Sequence, residues 1–169
     1  MMIWIGIGIG SPLLGFVSDF FNSRRLALGC SAVFGLVATV FLMYVPNVSL
    51  TAMYGVLLLF GIGAGGQTVS FAVVKDNNPS ELVGTASGFN NLAVLIGGAI
   101  FQPVVGFVLK HSSDWIMISG VTYYTIESFN RALIVIPICF LLSLLLTLFV
   151  LPETHPYHVA APSPQTPTR

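Results

Sequence analysis

The sequence contains very few charged residues. Only 7% of its 169 residues are Asp, Glu, Lys or Arg, whereas soluble domains carry about a quarter. Six basic and six acidic side chains are too few to cover the surface of a water-soluble domain of this length. We therefore expect the chain to lie in a lipid bilayer. Because the two signs cancel, there is no basic surface for phosphate groups, and nucleic acid is excluded as a partner.

Cysteine and histidine are also scarce. Cys30 and Cys139 lie in separate apolar segments, which argues against a disulfide framework or a thiolate metal site. His155 and His158 lack a third ligand, and His111 is in another loop. The sequence shows no Ser, His and Asp set, no paired carboxylates and no phosphate-binding lysine loop. It therefore predicts no metal, no cofactor and no enzymatic activity.

The abundant feature is long apolar runs. A helix that crosses about 30 Å of hydrocarbon needs about 20 mostly apolar residues. Five runs contain no Asp, Glu, Lys, Arg or His, and they cover residues 1–18, 26–45, 50–74, 82–109 and 132–151. They predict an all-α integral membrane protein. We expect a bundle over residues 1–151 with five transmembrane helices in these ranges, the last helix beginning at 131.

The loops predict an orientation, because basic residues accumulate in short cytoplasmic connections. If the loop that contains Arg24 and Arg25 is cytoplasmic, alternation places four of the six basic residues inside. The loop 110–130 is then outside. Segment 152–169 is rich in proline, cannot propagate a helix and is predicted to be a disordered cytoplasmic tail. We expect a multi-pass protein of the inner (plasma) membrane with a cytoplasmic C-terminus.

A glycine, an acid and two bases lie at the first membrane exit, as Gly15, Asp19, Arg24 and Arg25. Asp19 falls at the C-terminal end of its predicted helix, where the macrodipole disfavours a negative charge. Arg24, Arg25 or the N-terminus of another helix must compensate it. Gly15 would allow that helix to approach closely. A simple positive-inside stop signal is the alternative interpretation.

This pattern resembles the signature loop of the major facilitator superfamily. In that family the acid and bases of the loop latch the cytoplasmic side of two six-helix halves. Asn22 stands where the family has a turn glycine, and asparagine tolerates the left-handed conformation. Pro152-Glu153-Thr154 resembles the end of a half, and Gly84–Asn91 leading to Gln102-Pro103 resembles helix eleven. The resemblance implies an incomplete C-terminal six-helix half, with the five runs as helices eight to twelve.

Polar side chains are concentrated in the third and fourth runs. An amide that faces hydrocarbon is costly, so these side chains are expected to face protein or water. The candidate residues of a solute path are Gln67, Thr68, Ser70, Asn90 and Asn91. Hydrogen bonding between helices is the alternative explanation for them.

Glycines predict close helix contacts. The segment from Gly61 to Gly66 fits the dinucleotide-binding pattern G-x-G-x-x-G, but no strand precedes it and no soluble βαβ unit surrounds it. We instead expect one long helix over 50–74, in which Gly61 and Gly65 form a contact face. Further close contacts are expected at Gly84, Gly88, Gly97 and Gly98, and kinks at Gln102-Pro103 and Pro137.

The resemblance implies part of a secondary active transporter that works by alternating access. The N-terminal half and helix seven would lie outside this chain, so we expect it to need that half as a partner and to be inactive alone. Amides and hydroxyls suit a small neutral or zwitterionic solute such as an amino acid, and the helix-eleven motif resembles amino-acid carriers of intracellular gammaproteobacteria.

Two expectations concern coupling and the competing class. The runs contain no ionisable residue, so the proton-coupling carboxylate of a symporter would lie in the other part of the transporter. The alternative function is that of a non-transporting membrane protein, either a gene remnant or a helical partner of another transporter half.

Overall fold

Helices make up most of the structure, a computed structural model that describes residues 1–112, 115–118 and 121–153. The elements are α1 Met2–Phe20, α2 Arg24–Tyr44, α3 Leu50–Ala64, α4 Gln67–Asp76, α5 Val83–Lys110, β1 Trp115–Ile118, β2 Val121–Tyr124, α6 Ile126–Leu133 and α7 Val135–Phe149. Among the described residues, five stretches are long and apolar enough to cross a membrane, because α3 with α4 and α6 with α7 each form one span. The predicted all-α membrane fold with five spans is thereby confirmed. Residues 154–169 of the predicted tail lie outside the described part.

Helices α1 and α3 pack closely, and glycines make this contact. A Cβ at Gly61 would overlap the carbonyl oxygen of Ile3. A Cβ at Gly65 would lie 2.6 Å from the backbone nitrogen of Ser11 and 3.0 Å from the Cα of Gly10. Backbones can approach this closely only where side chains are absent, and such approach strengthens dispersion contacts in lipid. The α1–α3 pair therefore depends on its glycines.

Helix α2 packs against α3 and α7 through small residues. The Oγ of Ser31 donates a hydrogen bond of 2.6 Å to the carbonyl of Gly63. One turn further along α2, the ring of Phe140 in α7 covers Gly35 and meets Phe60 of α3 edge to face, with ring centroids 5.8 Å apart. An edge-to-face arrangement is a preferred geometry for aromatic pairs. Helix α2 is thus held between two other spans.

The helix predicted over 50–74 is interrupted at Gly65 and Gly66. The backbone N–H groups of Thr68 and Val69 bond to carbonyls three residues back, at 3.2 and 3.0 Å, instead of four. The Oγ1 of Thr68 also donates to the Gly65 carbonyl, at 2.5 Å. Glycine has a low helix propensity, and the hydroxyl competes for a carbonyl of the helix ladder. The chain is tightened here, and α3 and α4 are separate helices.

The loop 110–130 contains structure that the sequence did not indicate. Strands β1 and β2 form an antiparallel hairpin in which Trp115 pairs with Tyr124 and Ile118 with Val121. Helix α6 then begins at Ile126, five residues before the predicted start at 131, because the Oγ1 of Thr125 caps it by accepting from the N–H of Ser128.

Pro137 explains the break between α6 and α7. Proline has no N–H to bond the carbonyl four residues earlier, and its ring crowds that carbonyl. The carbonyl concerned belongs to Leu133, the last residue of α6, and α7 starts after Ile134. In contrast, α5 continues through Pro103 without an interruption.

Helix α5 is the least packed element. None of its residues is buried in the described structure, although it has 28 residues. A Cβ built on Gly84, Gly88, Gly97 or Gly98 would meet no atom within 4 Å. The close contacts expected at these four glycines are therefore not made by any described helix. The main contacts of α5 in the described structure are with α4 and α6.

The α1–α3 contact yields a stability prediction. Gly61→Ala should destabilise the bundle by about 1–3 kcal/mol, because the added methyl group must displace backbone atoms of α1. Gly55→Ala is the matched control on the same helix, since a Cβ there meets nothing within 4 Å. The midpoint of thermal unfolding of the purified chain in detergent measures both. Equal midpoints for the two variants would contradict the assigned contact.

Candidate functional site

The connection between α1 and α2 is shaped by two residues. Asn22 adopts a left-handed backbone conformation with φ of 51°, the conformation that asparagine tolerates in place of a turn glycine. Ser23 is the N-cap of α2, and its Oγ accepts a hydrogen bond of 3.0 Å from the N–H of Leu26. The turn and the cap together make Arg24 the first residue of α2, directly beside the end of α1.

Arg24 joins the ends of three helices. Its Nη1 lies 2.6 Å from Oδ1 of Asp19 and donates to the Oγ of Ser18 at 2.9 Å, both at the end of α1. Its Nε lies 2.9 Å from Oδ2 of Asp76, the last residue of α4. We call these four residues the Arg24 junction. The planar guanidinium suits this task, because its donors point in several fixed directions at once.

The two carboxylates of the junction differ in exposure. The side chain of Asp76 is 9% exposed and that of Arg24 is 11% exposed, whereas that of Asp19 is 70% exposed. Both acids lie at helix C-termini, where the macrodipole disfavours them, and both face the N-terminal end of α2, where it favours them. Arg24 therefore pairs with both Asp19 and Asp76, and Asp76 is the more buried partner.

Asp76 was not among the sequence candidates. The sequence does contain one signal for Asp76. Lys75-Asp76 directly follows the third apolar run, on the same predicted side of the membrane as Arg24. Arg25 was a candidate, but it forms no ion pair among the described residues. Gly15 also differs from expectation, since a Cβ there meets no atom within 4 Å and no described helix approaches it.

A second link connects this loop to the end of the last span. The Oγ of Ser23 donates a hydrogen bond of 2.7 Å to Oε2 of Glu153. Glu153 belongs to the Pro152-Glu153-Thr154 motif that follows α7. The N-cap of α2 and the segment after α7 are thus held together at the end of the bundle that carries the Arg24 junction.

The polar candidates of α4 and α5 divide into two groups. The Nδ2 of Asn90 donates a hydrogen bond of 2.9 Å to the Oγ of Ser70, which joins α5 to α4. This pair fits the interpretation as a contact between helices. Gln67 and Asn91 are exposed, and neither amide has a hydrogen-bond partner among the described residues. Thr68 is exposed as well.

Metal and cofactor binding find no support in the described ranges. No group of three or more His, Cys, Asp or Glu side chains there could hold a metal ion. Gly61 and Gly65, which belong to the G-x-G-x-x-G pattern, are occupied by the backbone of α1. A phosphate group could not reach the backbone at these two glycines.

Five apolar spans with an ion-paired junction at one end define a multi-pass membrane protein. The sequence profile of the Major Facilitator Superfamily matches residues 1–168. The chain belongs to this family, and its relatives are transporters, not enzymes.

Two curated relatives are similar over most of the chain. It is 31% identical over 106 residues to the gentisate transporter of Corynebacterium glutamicum, covering 62% of the chain and 23% of that relative. It is 28% identical over 148 residues to the "Probable galactarate/D-glucarate transporter GarP" of Escherichia coli K12, covering 83% of the chain and 30% of that relative. The match spans less than a third of either relative.

A solved structure shares the fold. The xylose transporter XylE from Escherichia coli, in a partially occluded inward-open conformation, matches with a TM-score of 0.72 and 22% identity. The match covers 90% of this chain and 38% of that one. The five spans therefore have the arrangement of part of a transporter of this family.

The exposure difference within the Arg24 junction yields a prediction. Asp76→Asn should reduce the free energy of unfolding by about 1.5–3 kcal/mol, because a largely buried guanidinium loses a charged partner. Asp19→Asn should cost less than about 1 kcal/mol, since water screens its exposed carboxylate. Reversible denaturant unfolding in mixed micelles measures both variants. A larger loss for Asp19→Asn would reverse the assignment of the main partner.

Proposed function

We propose that the chain forms part of a secondary active transporter that moves a small polar organic solute by alternating access. The Arg24 junction is the observation that carries this proposal. One guanidinium holds the ends of α1, α2 and α4, so these three spans can move as a unit. Asp19 remains 70% exposed, and its free oxygen can accept a donor from a second half in one state and water in the other.

The transporter needs more than this chain. Alternating access requires two repeats that flank a central site and expose it to each side in turn. The curated relatives are much longer than the segments that match this chain. The longer of the two matched segments makes up 30% of its relative. We propose that the chain is inactive alone and works with an N-terminal half. The unpacked helix α5, which buries none of its residues, supplies a surface for that half.

The proposed location is the inner (plasma) membrane, with the α1–α2 connection and the C-terminus on the cytoplasmic side. Arg24 and Arg25 at this membrane exit support it, because basic residues favour cytoplasmic loops. The ionisable side chains of the described spans lie near the ends of the spans. If the transporter is a symporter, we place its proton-coupling carboxylate outside this chain.

The proposed solute path includes Gln67, Thr68 and Asn91. These exposed polar groups lie on otherwise apolar spans, where an amide without a partner is costly. Amides and hydroxyls without a basic residue favour a neutral or zwitterionic solute such as an amino acid. The names of the curated relatives favour a carboxylate instead, since gentisate, galactarate and D-glucarate are organic acids. A carboxylate would need a basic group from the other half.

Uptake measurements test the proposed transport function and the role of Asp19. Cells that express a complete transporter containing this chain should take up one member of a panel of radiolabelled amino acids, aromatic acids and sugar acids. Asp19→Asn should lower the rate of that uptake severalfold with unchanged membrane insertion, because the exposed side chain loses its negative charge and one of its two acceptor oxygens. Glu127→Gln is the control, since Glu127 forms an exposed ion pair with Arg131 far from the junction. Uptake by the chain alone, or full activity of Asp19→Asn, would contradict the proposal.

The solute path has its own test. Gln67→Ala should raise the KM for uptake severalfold without lowering expression, because its amide is free to bind solute. Asn90→Ala is the comparison, and it should lower thermal stability by about 1 kcal/mol or less through loss of the contact with Ser70. A change in expression without a change in KM for Gln67→Ala would assign Gln67 to helix packing.

A further inference from the structure

Two grooves run between α2 and α7, and they differ in charge. The first has a volume of about 590 Å³ and is lined by Leu26, Val33, Phe34, Leu144 and Leu148, with Arg25 at the end where α2 begins. We call it the Arg25 groove. The second has a volume of about 530 Å³ and is lined by apolar residues, with Ser143 and Thr147 as its hydroxyls and no charged side chain. We call it the uncharged groove.

Arg25 differs from Arg24 because it has no ion-pair partner among the described residues. Arg24 is neutralised by Asp19 and Asp76. No carboxylate lies within 4 Å of Arg25 in the described part of the chain. The nearby acid Glu153 accepts its hydrogen bond from Ser23 and not from Arg25. Arg25 therefore brings to its groove a positive charge that no carboxylate contacts, while Ser23, which also lines the groove, is bonded to Glu153.

The walls of the Arg25 groove are apolar and can pack against a hydrocarbon chain. Leu26, Val33 and Leu148 remain exposed in the described structure, and a chain lying against them would cover apolar surface. A Cβ built on Gly29, which also lines the groove, meets nothing within 4 Å, so the groove is open at this level. An apolar channel that ends at one cation is complementary to an acyl chain that ends at one phosphate.

We propose that the Arg25 groove binds one anionic glycerophospholipid. Its phosphodiester accepts hydrogen bonds from the guanidinium of Arg25 at the membrane exit, and one acyl chain lies along the apolar wall between α2 and α7. Arg24 and Arg25 then have separate tasks, since the first joins helix ends and the second binds lipid. This site does not depend on which solute is transported.

Native mass spectrometry of the purified chain in detergent tests the charge requirement. Phosphatidylglycerol should bind about fivefold more tightly than phosphatidylcholine with the same acyl chains, as expected for one basic residue at a membrane surface. Arg25→Gln should abolish this preference and Arg25→Lys should retain most of it. Lys110→Gln, which removes a charge far from the groove, should leave the preference unchanged. Equal binding of the two lipids, equally tight binding of phosphatidylethanolamine, or an unchanged preference in Arg25→Gln would overturn the proposal.

Two further measurements separate the two grooves. Gly29→Leu should weaken phosphatidylglycerol binding by filling the Arg25 groove, whereas Ser143→Leu fills the uncharged groove and should have no effect. In the unmodified chain, phosphatidylglycerol with a diazirine in its acyl chain should label the peptides containing Val33 and Leu148. This labelling needs no variant to fold. Labelling confined to the uncharged groove, or equal losses in the two variants, would reject the assigned site.

Discussion

Arg24 brings two carboxylates and a buried hydroxyl to a single guanidinium at one end of the membrane spans. Each of its two acids lies at a helix C-terminus and would be unfavourable without it. Separating α4 from α2 would leave the largely buried Asp76 unpaired, and moving α1 away would remove Asp19 and Ser18 from the same guanidinium. The positions of the three spans at this end of the bundle depend on that constraint.

Helix packing in the rest of the bundle reflects the lipid that surrounds it. Lipid tails are as apolar as leucine, so the hydrophobic effect does not press the spans together. Close backbone approach replaces it at α1 and α3, where Gly61 and Gly65 leave no room for side chains. The same small residues on α5, at Gly84 and Gly88, meet nothing in the described chain. We propose this open surface as the contact with a second half of a transporter.

The polar side chains of α4 and α5 differ in whether they have a hydrogen-bond partner. Ser70 and Asn90 satisfy each other across α4 and α5, and their hydrogen bond is accounted for by helix contact. Gln67 and Asn91 keep free amides on the same two helices. An amide without a partner is costly in a membrane, so its presence there calls for a functional explanation. The proposal of a solute path rests on these two residues.

The sequence by itself determined the number of spans, the membrane environment and the family, because span length and exclusion of charge are local properties of the chain. It also indicated the turn at Asn22 and the importance of Asp19 and Arg24. Only the tertiary structure identified Asp76 as the buried partner, since that pair joins residues 52 apart in sequence. It also showed that Gly61 is packed and Gly84 is not. Equal spacing of glycines predicts a possible contact, but which face meets another helix depends on how all the helices are arranged.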